Sequence, residues 1–232
     1  MPERDVGANC GDTLVAMIAA NPSLNFLCLE ADAHFFGYLE RNIVQIRKAY
    51  PAVGEILPIN ALVGTAETSG VLTGEFGTKR VIASKEGQHA TPLGIIASNV
   101  LSPNPPVSLI KVDVDGMDYD VLQSAGTLLD APDTTLYFEC GFTNEIEKRK
   151  YLELFEYLIK KGYAAFWLFD NFGTSVIKTA SMDVISALFD YIWLQHQNRA
   201  TRTFYYFDAL ACKPKSIEIA RKVLSSYPPV SR

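Results

Sequence analysis

The stretch that decides the fold is Asp5-Val-Gly-Ala-Asn-Cys-Gly-Asp-Thr13, which runs directly into the apolar segment 14–20. Two glycines just before a helical sequence mark a strand–turn–helix at which a ligand can approach the backbone closely. The next apolar run ends at Glu30, 19 residues after Gly11. An acidic residue at that place in a nucleotide-binding α/β fold accepts hydrogen bonds from ribose hydroxyls. The pattern therefore predicts a nucleoside-binding turn, against the simpler interpretation that the glycines only form a tight turn.

The composition of the chain is typical of a folded domain. Its 232 residues are 48% hydrophobic and 20% charged, which suffices for a sizeable core and is too apolar for a disordered protein. The net charge of -5 predicts neither a nucleic-acid partner nor an anionic membrane surface. No apolar run approaches the roughly 20 residues of a membrane span. The four cysteines form no CxxC pair, so we predict reduced thiols and a cytoplasmic location.

Outward from the first turn, short apolar runs alternate with longer amphipathic ones, which indicates an α/β domain with a parallel sheet. We predict further strands at residues 25–30, 55–63, 107–113, 135–139, 163–169 and 203–211. Helices are predicted at residues 32–50, 118–129, 144–161, 182–195 and 216–224. We expect one domain over residues 1–232, in which residues 64–90 leave the sheet, either as a hairpin near the site or as a plain surface loop.

The charges around the glycine turn indicate which nucleoside it would bind. Asp5 and Asp12 flank the turn, and they would repel the pyrophosphate of a dinucleotide. The pattern is also G-x-N-x-G, whereas dinucleotide-binding turns have G-x-G-x-x-G. S-adenosylmethionine (SAM) carries a positive ammonium and a positive sulfonium, which acidic groups would stabilise. The charges therefore favour SAM over NAD.

A second informative stretch is Leu109-Ile-Lys-Val-Asp-Val-Asp-Gly-Met-Asp118. It places Asp113, Asp115 and Asp118 at the carboxyl end of a predicted strand, the edge where open α/β sheets bind ligands. Carboxylates so close together are unfavourable unless a cation, a ligand or a donor lies among them. Asp118 is explained at least as well by capping of the next helix. For Asp113, at the strand end itself, a functional role is the better interpretation.

These motifs together resemble the FkbM-type family of SAM-dependent methyltransferases. The resemblance rests on D-V-G-A-N-x-G, Glu30, Asn60-Ala-Leu-Val-Gly64, and Ile110-Lys-Val-Asp-Val-Asp-Gly-Met-Asp118 followed by Val121-Leu122. Asp115 and Asp118 stand where the family usually has glutamates, which shortens the reach of both carboxylates. Phe138-Glu139 is similar to the family's next strand end.

The resemblance implies a class I methyltransferase fold. That fold is a Rossmann-like, seven-stranded, mostly parallel sheet with an antiparallel last strand and helices on both faces. The implied activity is O-methylation of a hydroxyl on a small molecule, such as a sugar or another natural product. Four residues, Asp5, Gly7, Asn9 and Gly11, would line the methionine part of SAM. Glu30 would bind the ribose, Asn60 and Ala61 would lie near the adenine, and Asp113 would face the methyl group and the acceptor.

A hydroxyl acceptor must also lose a proton, for which two hypotheses stay open. In the first, Asp113 and Glu139 hold a divalent ion such as Mg²⁺, which prefers oxygen ligands and lowers the pKa of the acceptor. In the second no metal takes part, and a carboxylate or a histidine is the general base. His89 is the candidate histidine because it follows the 64–88 excursion and precedes Thr91-Pro92.

The beginning of the chain departs from the sequence expected of this fold. Only Met1-Pro-Glu-Arg4 precede Asp5, and a proline with two charges is poor material for a buried central strand. We therefore expect a truncated first strand and a missing natural N-terminus. The main alternative function is a catalytically inactive methyltransferase-like binding domain, or a fragment of a larger protein. An NAD-dependent oxidoreductase is disfavoured by the charges. An oligomer is compatible with the sequence.

Overall fold

The computed structural model describes residues 2–74, 79–84, 86–100, 107–197 and 203–226. The chain divides into two compact units, Met1–Leu129 and Asp130–Arg232. The first unit contains the glycine turn and both sequence motifs on which the family resemblance mainly rests. The second contains the C-terminal strands.

In the first unit, four parallel strands form a sheet whose carboxyl ends meet at one edge. The strands of this unit are β1 (Pro2–Val6), β2 (Asn25–Glu30), β3 (Ile56–Asn60), β4 (Ser69–Thr73), β5 (Arg80–Ala83), β6 (Gln88–His89) and β7 (Leu109–Val112). The parallel sheet has the order β7-β1-β2-β3, and the short strands form a separate antiparallel sheet in the order β5-β4-β6. The helices of the unit are α1 (Asp12–Ala20), α2 (Ala33–Ala49), α3 (Leu93–Val100) and α4 (Asp118–Ser124).

The first strand forms in spite of its charges, so the prediction of poor strand material was wrong. Pro2 is the first residue of β1, a position where a strand tolerates proline. The Glu3 carboxylate accepts a hydrogen bond from the Leu109 amide, and the Asp5 carboxylate forms an ion pair with Lys111. Burial lowers the pKa of the Arg4 guanidinium to about 10, and the neighbouring Glu3 charge opposes that shift. Each charged side chain of β1 is thus buried beside a group of opposite charge or a hydrogen-bond donor.

The core of the first unit packs helices against the middle strands. Apolar side chains recur at helical spacing in α1 and α2 and bury against β2, which is itself buried from its second residue to its last. The shared cluster includes Leu14, Ile18, Phe26, Cys28, Leu39 and Ile43. This packing fixes the two helices that begin just beyond the carboxyl ends of β1 and β2, and so fixes the loops between strand and helix.

The second unit has antiparallel neighbours throughout. Its strands are β8 (Thr135–Cys140), β9 (Ala165–Asp170), β10 (Ser175–Thr179) and β11 (Phe207–Cys212), and its helices are α5 (Glu145–Lys160), α6 (Met182–Gln197) and α7 (Ile217–Ser225). The order is β10-β9-β11-β8, with β11 antiparallel to both neighbours. The last strand is therefore antiparallel, as the family resemblance implies. The four strands here and the four of the parallel sheet in the first unit exceed the implied seven by one.

Two elements outside the 64–90 segment were absent from the sequence prediction. The strand β10 is mostly exposed, so it lacks the apolar run that marks a buried strand. The helix α3 follows Pro92 and contains Gly94. Neither residue type is favourable inside a helix, so this short apolar run was not predicted to be helical. In addition, the predicted helix 118–129 is a short α-helix followed by a 3₁₀ turn at Gly126–Asp130.

None of the helices in the described parts of the chain is both long enough and apolar enough to span a membrane. All four cysteines are free thiols, and three of them are buried. The cytoplasmic location stays a prediction.

Candidate functional site

The glycine turn is held between two strands by backbone contacts. The amides of Gly7 and Ala8 both donate to the Leu29 carbonyl of β2, at 2.9 and 3.0 Å. Gly7 has a φ of 76°, and a Cβ atom there would lie 1.9 Å from the Asp113 carbonyl oxygen. Only glycine can therefore stand at this position, because the backbone after β7 occupies the space that a side chain would need.

Glu30 is aimed at the turn by two backbone amides. Its Oε2 accepts from the Asn9 amide at 2.9 Å, and its Oε1 accepts from the Asp32 amide at 2.8 Å. Asn9 has a φ of 47°, a left-handed conformation that asparagine tolerates better than most residues. Burial raises the pKa of Glu30 even though both amides act to lower it. Each oxygen keeps a further lone pair with which it can accept a ligand hydroxyl.

The end of β3 is tied to the end of β2 next to Glu30. The Asn60 side-chain amide donates to the backbone carbonyls of Glu30 and Ala31, at 2.8 and 3.1 Å. The Ala61 amide donates to the Glu30 carbonyl at 3.1 Å. Asn60 thus braces the strand ends, and Ala61 follows directly beyond them.

Asp32 connects the helix α2 to the hairpin formed by β4 and β5 of the antiparallel sheet. Its Oδ1 caps α2 by accepting from the amides of His34 and Phe35, each at 3.0 Å. Its Oδ2 lies 2.6 Å from the Lys79 ammonium, and the same ammonium lies 5.8 Å from the centre of the Phe35 ring. Burial acts to raise the pKa of Asp32, but the hydrogen bonds from Lys79 and the helix amides outweigh it and lower that pKa.

A buried lysine lies beneath the motif at the end of β7. The Lys111 ammonium is 3.2 Å from Asp5 Oδ1, 3.5 Å from Asp113 Oδ2 and 3.2 Å from the Gly7 carbonyl oxygen. Burial acts to lower the pKa of Lys111, but the two carboxylates outweigh it and raise that pKa. Burial raises the pKa of Asp5. The Asp5 side chain is fully buried, whereas the Asp113 side chain is 52% exposed.

Asp115 and the hairpin complete this end of the site. Asp115 has a φ of 52°, and its carbonyl accepts from Arg80 Nε at 3.2 Å. Burial raises the pKa of Asp115, and the nearby Asp113 charge adds to the shift. Two consecutive basic residues, Lys79 just before β5 and Arg80 at its start, therefore contact the carboxyl edge of the parallel sheet.

A pocket opens at this edge, and we call it the carboxyl-edge pocket. Polar residues from the strand ends and apolar residues from the hairpin both line it. Its lining includes Gly7, Asn9, Glu30, Phe35, Ala61, Leu62, Leu72, Lys79, Val81 and Asp113. Acidic groups and apolar surface thus share one cavity at the edge where open α/β sheets bind ligands.

The structure brings five of the predicted site residues together in this lining: Gly7, Asn9, Glu30, Ala61 and Asp113. Four others, of the described residues that were predicted to bind the cofactor or to act in catalysis, lie outside it. Asp5 is buried behind the pocket against Lys111, Gly11 precedes α1, and Asn60 braces the strands. His89 is exposed on β6. Their assigned roles stay predictions.

Lys111 and Lys79 were missed by the sequence analysis. Lys111 stands inside the second motif, and its partner Asp5 is opposite it in the register of β1 and β7. That register cannot be read from either motif alone. Lys79 belongs to the 64–90 segment, whose lack of periodicity gave no sign that it would contact Asp32.

The predicted Mg²⁺ site finds no support. Across residues 2–74, 79–84, 86–100, 107–197 and 203–226, no three His, Cys, Asp or Glu side chains are grouped so that they could hold a metal ion. Asp113 belongs to the first unit and is paired with Lys111, while Glu139 belongs to β8 of the second unit.

The fold and the pocket define a class I methyltransferase architecture. The family model of the methyltransferase FkbM domain matches residues 5–165, which is more than half of the chain. The chain therefore belongs to the FkbM methyltransferase domain family. None of the curated proteins matches it.

A solved structure shows the same architecture at low identity. A methyltransferase FkbM from Methylobacillus flagellatus KT is 12% identical, with a TM-score of 0.53 over 90% of this chain and 43% of that chain. This chain thus spans less than half the length of that relative. A precorrin-6y C5,15-methyltransferase from Geobacter metallireducens GS-15 is 10% identical, with a TM-score of 0.45 over 92% of this chain and 80% of that chain.

Proposed function

We propose that this chain is a SAM-dependent O-methyltransferase domain that methylates a hydroxyl of a small molecule, such as a sugar or another natural product. The observation that carries the proposal is Glu30, a carboxylate fixed by two amides in the lining of the carboxyl-edge pocket. It ends β2 beside a glycine turn, where a ribose-binding acid is expected in this class of fold. Membership of the FkbM family supports the same assignment.

The residues of the pocket fit SAM. The ribose hydroxyls can donate to the free lone pairs of Glu30, and the adenine face suits apolar side chains such as Leu62 and Val81. The sulfonium and ammonium are cations, and the Asp113 carboxylate at the other side of the glycine turn would stabilise them. Residues 7–11 contain no basic side chain that could pair with a pyrophosphate.

Asp113 is the residue that we assign to the acceptor. Its half-exposed carboxylate lines the pocket, and the Lys111 ammonium restrains one of its oxygens. When bound, SAM supplies an electrophilic methyl group. The Asp113 carboxylate accepts the proton of the acceptor hydroxyl, and the apolar hairpin residues Leu72 and Val81 exclude water from the reacting atoms. His89 stays a second candidate base.

Binding and transfer assays test this proposal. Isothermal titration should give heat of binding with SAM and none with NADH. Methyl-labelled SAM should transfer label to hydroxylated acceptors from a panel of sugars and phenols. Asp113→Asn should reduce turnover by about 100-fold, the lower end of what general-base removal costs. Binding of NADH in place of SAM would contradict the proposal.

A matched control keeps the Asp113 result interpretable. Asp133→Asn removes a carboxylate of the second unit whose side chain is 59% exposed, and it should leave turnover unchanged. SAM binding without transfer to any acceptor would instead favour the inactive binding domain.

A further inference from the structure

Lys111 makes three polar contacts from a buried position. Its side chain is only 7% exposed, and a lysine is rarely buried to that extent unless it is paired. An ammonium has three N–H donors, and three acceptors lie within reach: Asp5 Oδ1, Asp113 Oδ2 and the Gly7 carbonyl oxygen. The ammonium therefore lies within ion-pair or hydrogen-bond distance of all three.

The three acceptors differ in what surrounds them. Asp5 is fully buried, and no well-aligned hydrogen bond reaches its oxygens from the residues described, so its pairing with Lys111 is essentially ionic. Gly7 and Asp113 both line the carboxyl-edge pocket. One ammonium thus connects a counter-charge inside the sheet with two groups at the pocket surface.

The two surface groups are those whose position matters for the proposed reaction. The Gly7 carbonyl is part of the turn that would face the cofactor, and the Asp113 carboxylate would face the acceptor. Asp5, Lys111 and Asp113 together carry one net negative charge, which suits a cationic cofactor. Without the ammonium, two like charges would lie side by side and the Asp113 carboxylate would lose its restraint.

We propose that Lys111 is a positioning residue for methyl transfer: it holds the Gly7 carbonyl and the Asp113 carboxylate in place and uses Asp5 as its buried counter-charge. This inference rests on the proposed function. It assigns a role to the lysine of the second motif, and it changes the role of Asp5, which acts through Lys111 and does not touch the cofactor.

A purely structural role is the competing explanation, in which Lys111 only neutralises Asp5. The two explanations differ for the double variant Asp5→Asn/Lys111→Met. Removing both partners of a buried ion pair leaves no uncompensated charge, so the double variant should fold even if Lys111→Met does not. If neutralisation were the whole role, the double variant would also recover cofactor binding.

The experiment measures the Kd for SAM by isothermal titration in wild type, Lys111→Met, Lys111→Arg and the double variant. We expect the folded double variant to bind SAM at least 10-fold more weakly than wild type. Lys111→Arg should recover part of that loss, because it keeps the charge but changes the geometry. As the control, Lys148→Met removes a lysine of α5 that bridges Glu145 and Asp190 at 3.3 and 2.7 Å, and its Kd should equal that of wild type.

A wild-type Kd in the double variant would overturn the inference. If wild type does not bind SAM, the proposed function fails, and a crystal structure of the double variant decides the inference separately. That structure tests the restraint by Lys111 alone: the restraint is supported if the Gly7 carbonyl and the Asp113 carboxylate have moved, and it is ruled out if both keep their wild-type positions.

Discussion

At the scale of single residues, Gly7 is the most constrained position of the site. A methyl group there would lie 1.9 Å from the Asp113 carbonyl oxygen, and φ is 76°. We expect Gly7→Ala to lower the free energy of unfolding by about 3 kcal/mol or more, because steric overlap and backbone strain add. Urea denaturation measures this change.

The control for that substitution is Gly37→Ala in α2, where nothing lies within 4 Å of the added Cβ. It should be neutral, or stabilise by about 0.5–1 kcal/mol, because alanine is the better helix former. Equal stabilities of the two variants would contradict the packing described around the turn.

The ionisation of Glu30 gives the site a pH dependence. Burial raises its pKa above the ordinary 4.5, and the ionised form is the better acceptor for ribose hydroxyls. Protonation begins at a higher pH than for an exposed glutamate, so the affinity for SAM should fall as the pH is lowered through that raised pKa. Titrations of SAM from about pH 8 down to about pH 4, a range that extends below the ordinary value of 4.5, would measure this loss.

Two variants isolate this effect. Glu30→Gln should bind SAM at least 10-fold more weakly at pH 8 and lose the pH dependence, whereas the exposed Glu40→Gln should behave as wild type. A Glu30→Gln variant that keeps the wild-type pH profile would show that another group titrates.

Single residues also differ in whether their place in the site could be predicted from the sequence. Gly7 and Glu30 could be found because their spacing along the chain alone indicates a strand–turn–helix and the next strand end. Lys111 could not, since its role depends on the register of β1 and β7, which brings residues 5 and 111 together. Charge counting around the turn therefore considered Asp5 without its neighbour, the Lys111 ammonium.

At the scale of elements, the first turn of α2 depends on Asp32. Its carboxylate caps the helix and pairs with Lys79, and its pKa is lowered. Asp32→Ala should cost about 1–2 kcal/mol at neutral pH. A lowered pKa means that this stability is present above the ordinary value of 3.8 and is lost as the pH falls through the folded-state pKa. Urea denaturation at pH 7 and near pH 3 measures the difference.

A second cap gives the comparison. Asn144 caps α5 by accepting from the amides of Ile146 and Glu147, each at 3.0 Å, and it does not titrate. Asn144→Ala should therefore cost about 1 kcal/mol at both pH values. An Asp32→Ala deficit that persists undiminished at low pH would argue against ionisation as its source.

Elements with strong periodicity were predictable, and elements without it were not. The helices α2 and α5 were found to within a residue or two, because apolar faces and polar caps agree. The exposed strand β10 carries no such pattern. The strand β1 has a proline and three charged residues, a composition that is not typical of a central strand. It forms because two of its carboxylates are paired with groups that are distant in sequence, at Leu109 and Lys111.

At the scale of the whole chain, cofactor binding should be visible as stabilisation. A ligand at 100 times its Kd stabilises the folded state by about 2.7 kcal/mol, which corresponds to roughly 5–10 °C in Tm for a chain of this size. We expect SAM to raise the Tm by this amount and NADH to leave it unchanged in differential scanning calorimetry. An equal shift with both compounds would argue against a selective SAM site.

The family match covers residues 5–165, and so it includes all of the carboxyl-edge pocket. The single domain over residues 1–232 stays a prediction, as does the acceptor. The proposed O-methyl specificity would depend on Asp113 and on the molecule that reaches it, and neither motif encodes that molecule.

The contact between Gly7 and the backbone of Asp113 bears on how related chains are judged. The backbone after β7 requires this glycine whether or not a ligand binds, so a relative that has lost its chemistry would still have to keep it in order to fold. Presence of the glycine turn in a genome therefore cannot serve as a marker of an active enzyme. The half-exposed carboxylate of Asp113, which we assign to the acceptor, would be the more informative position when working copies are separated from inactive ones.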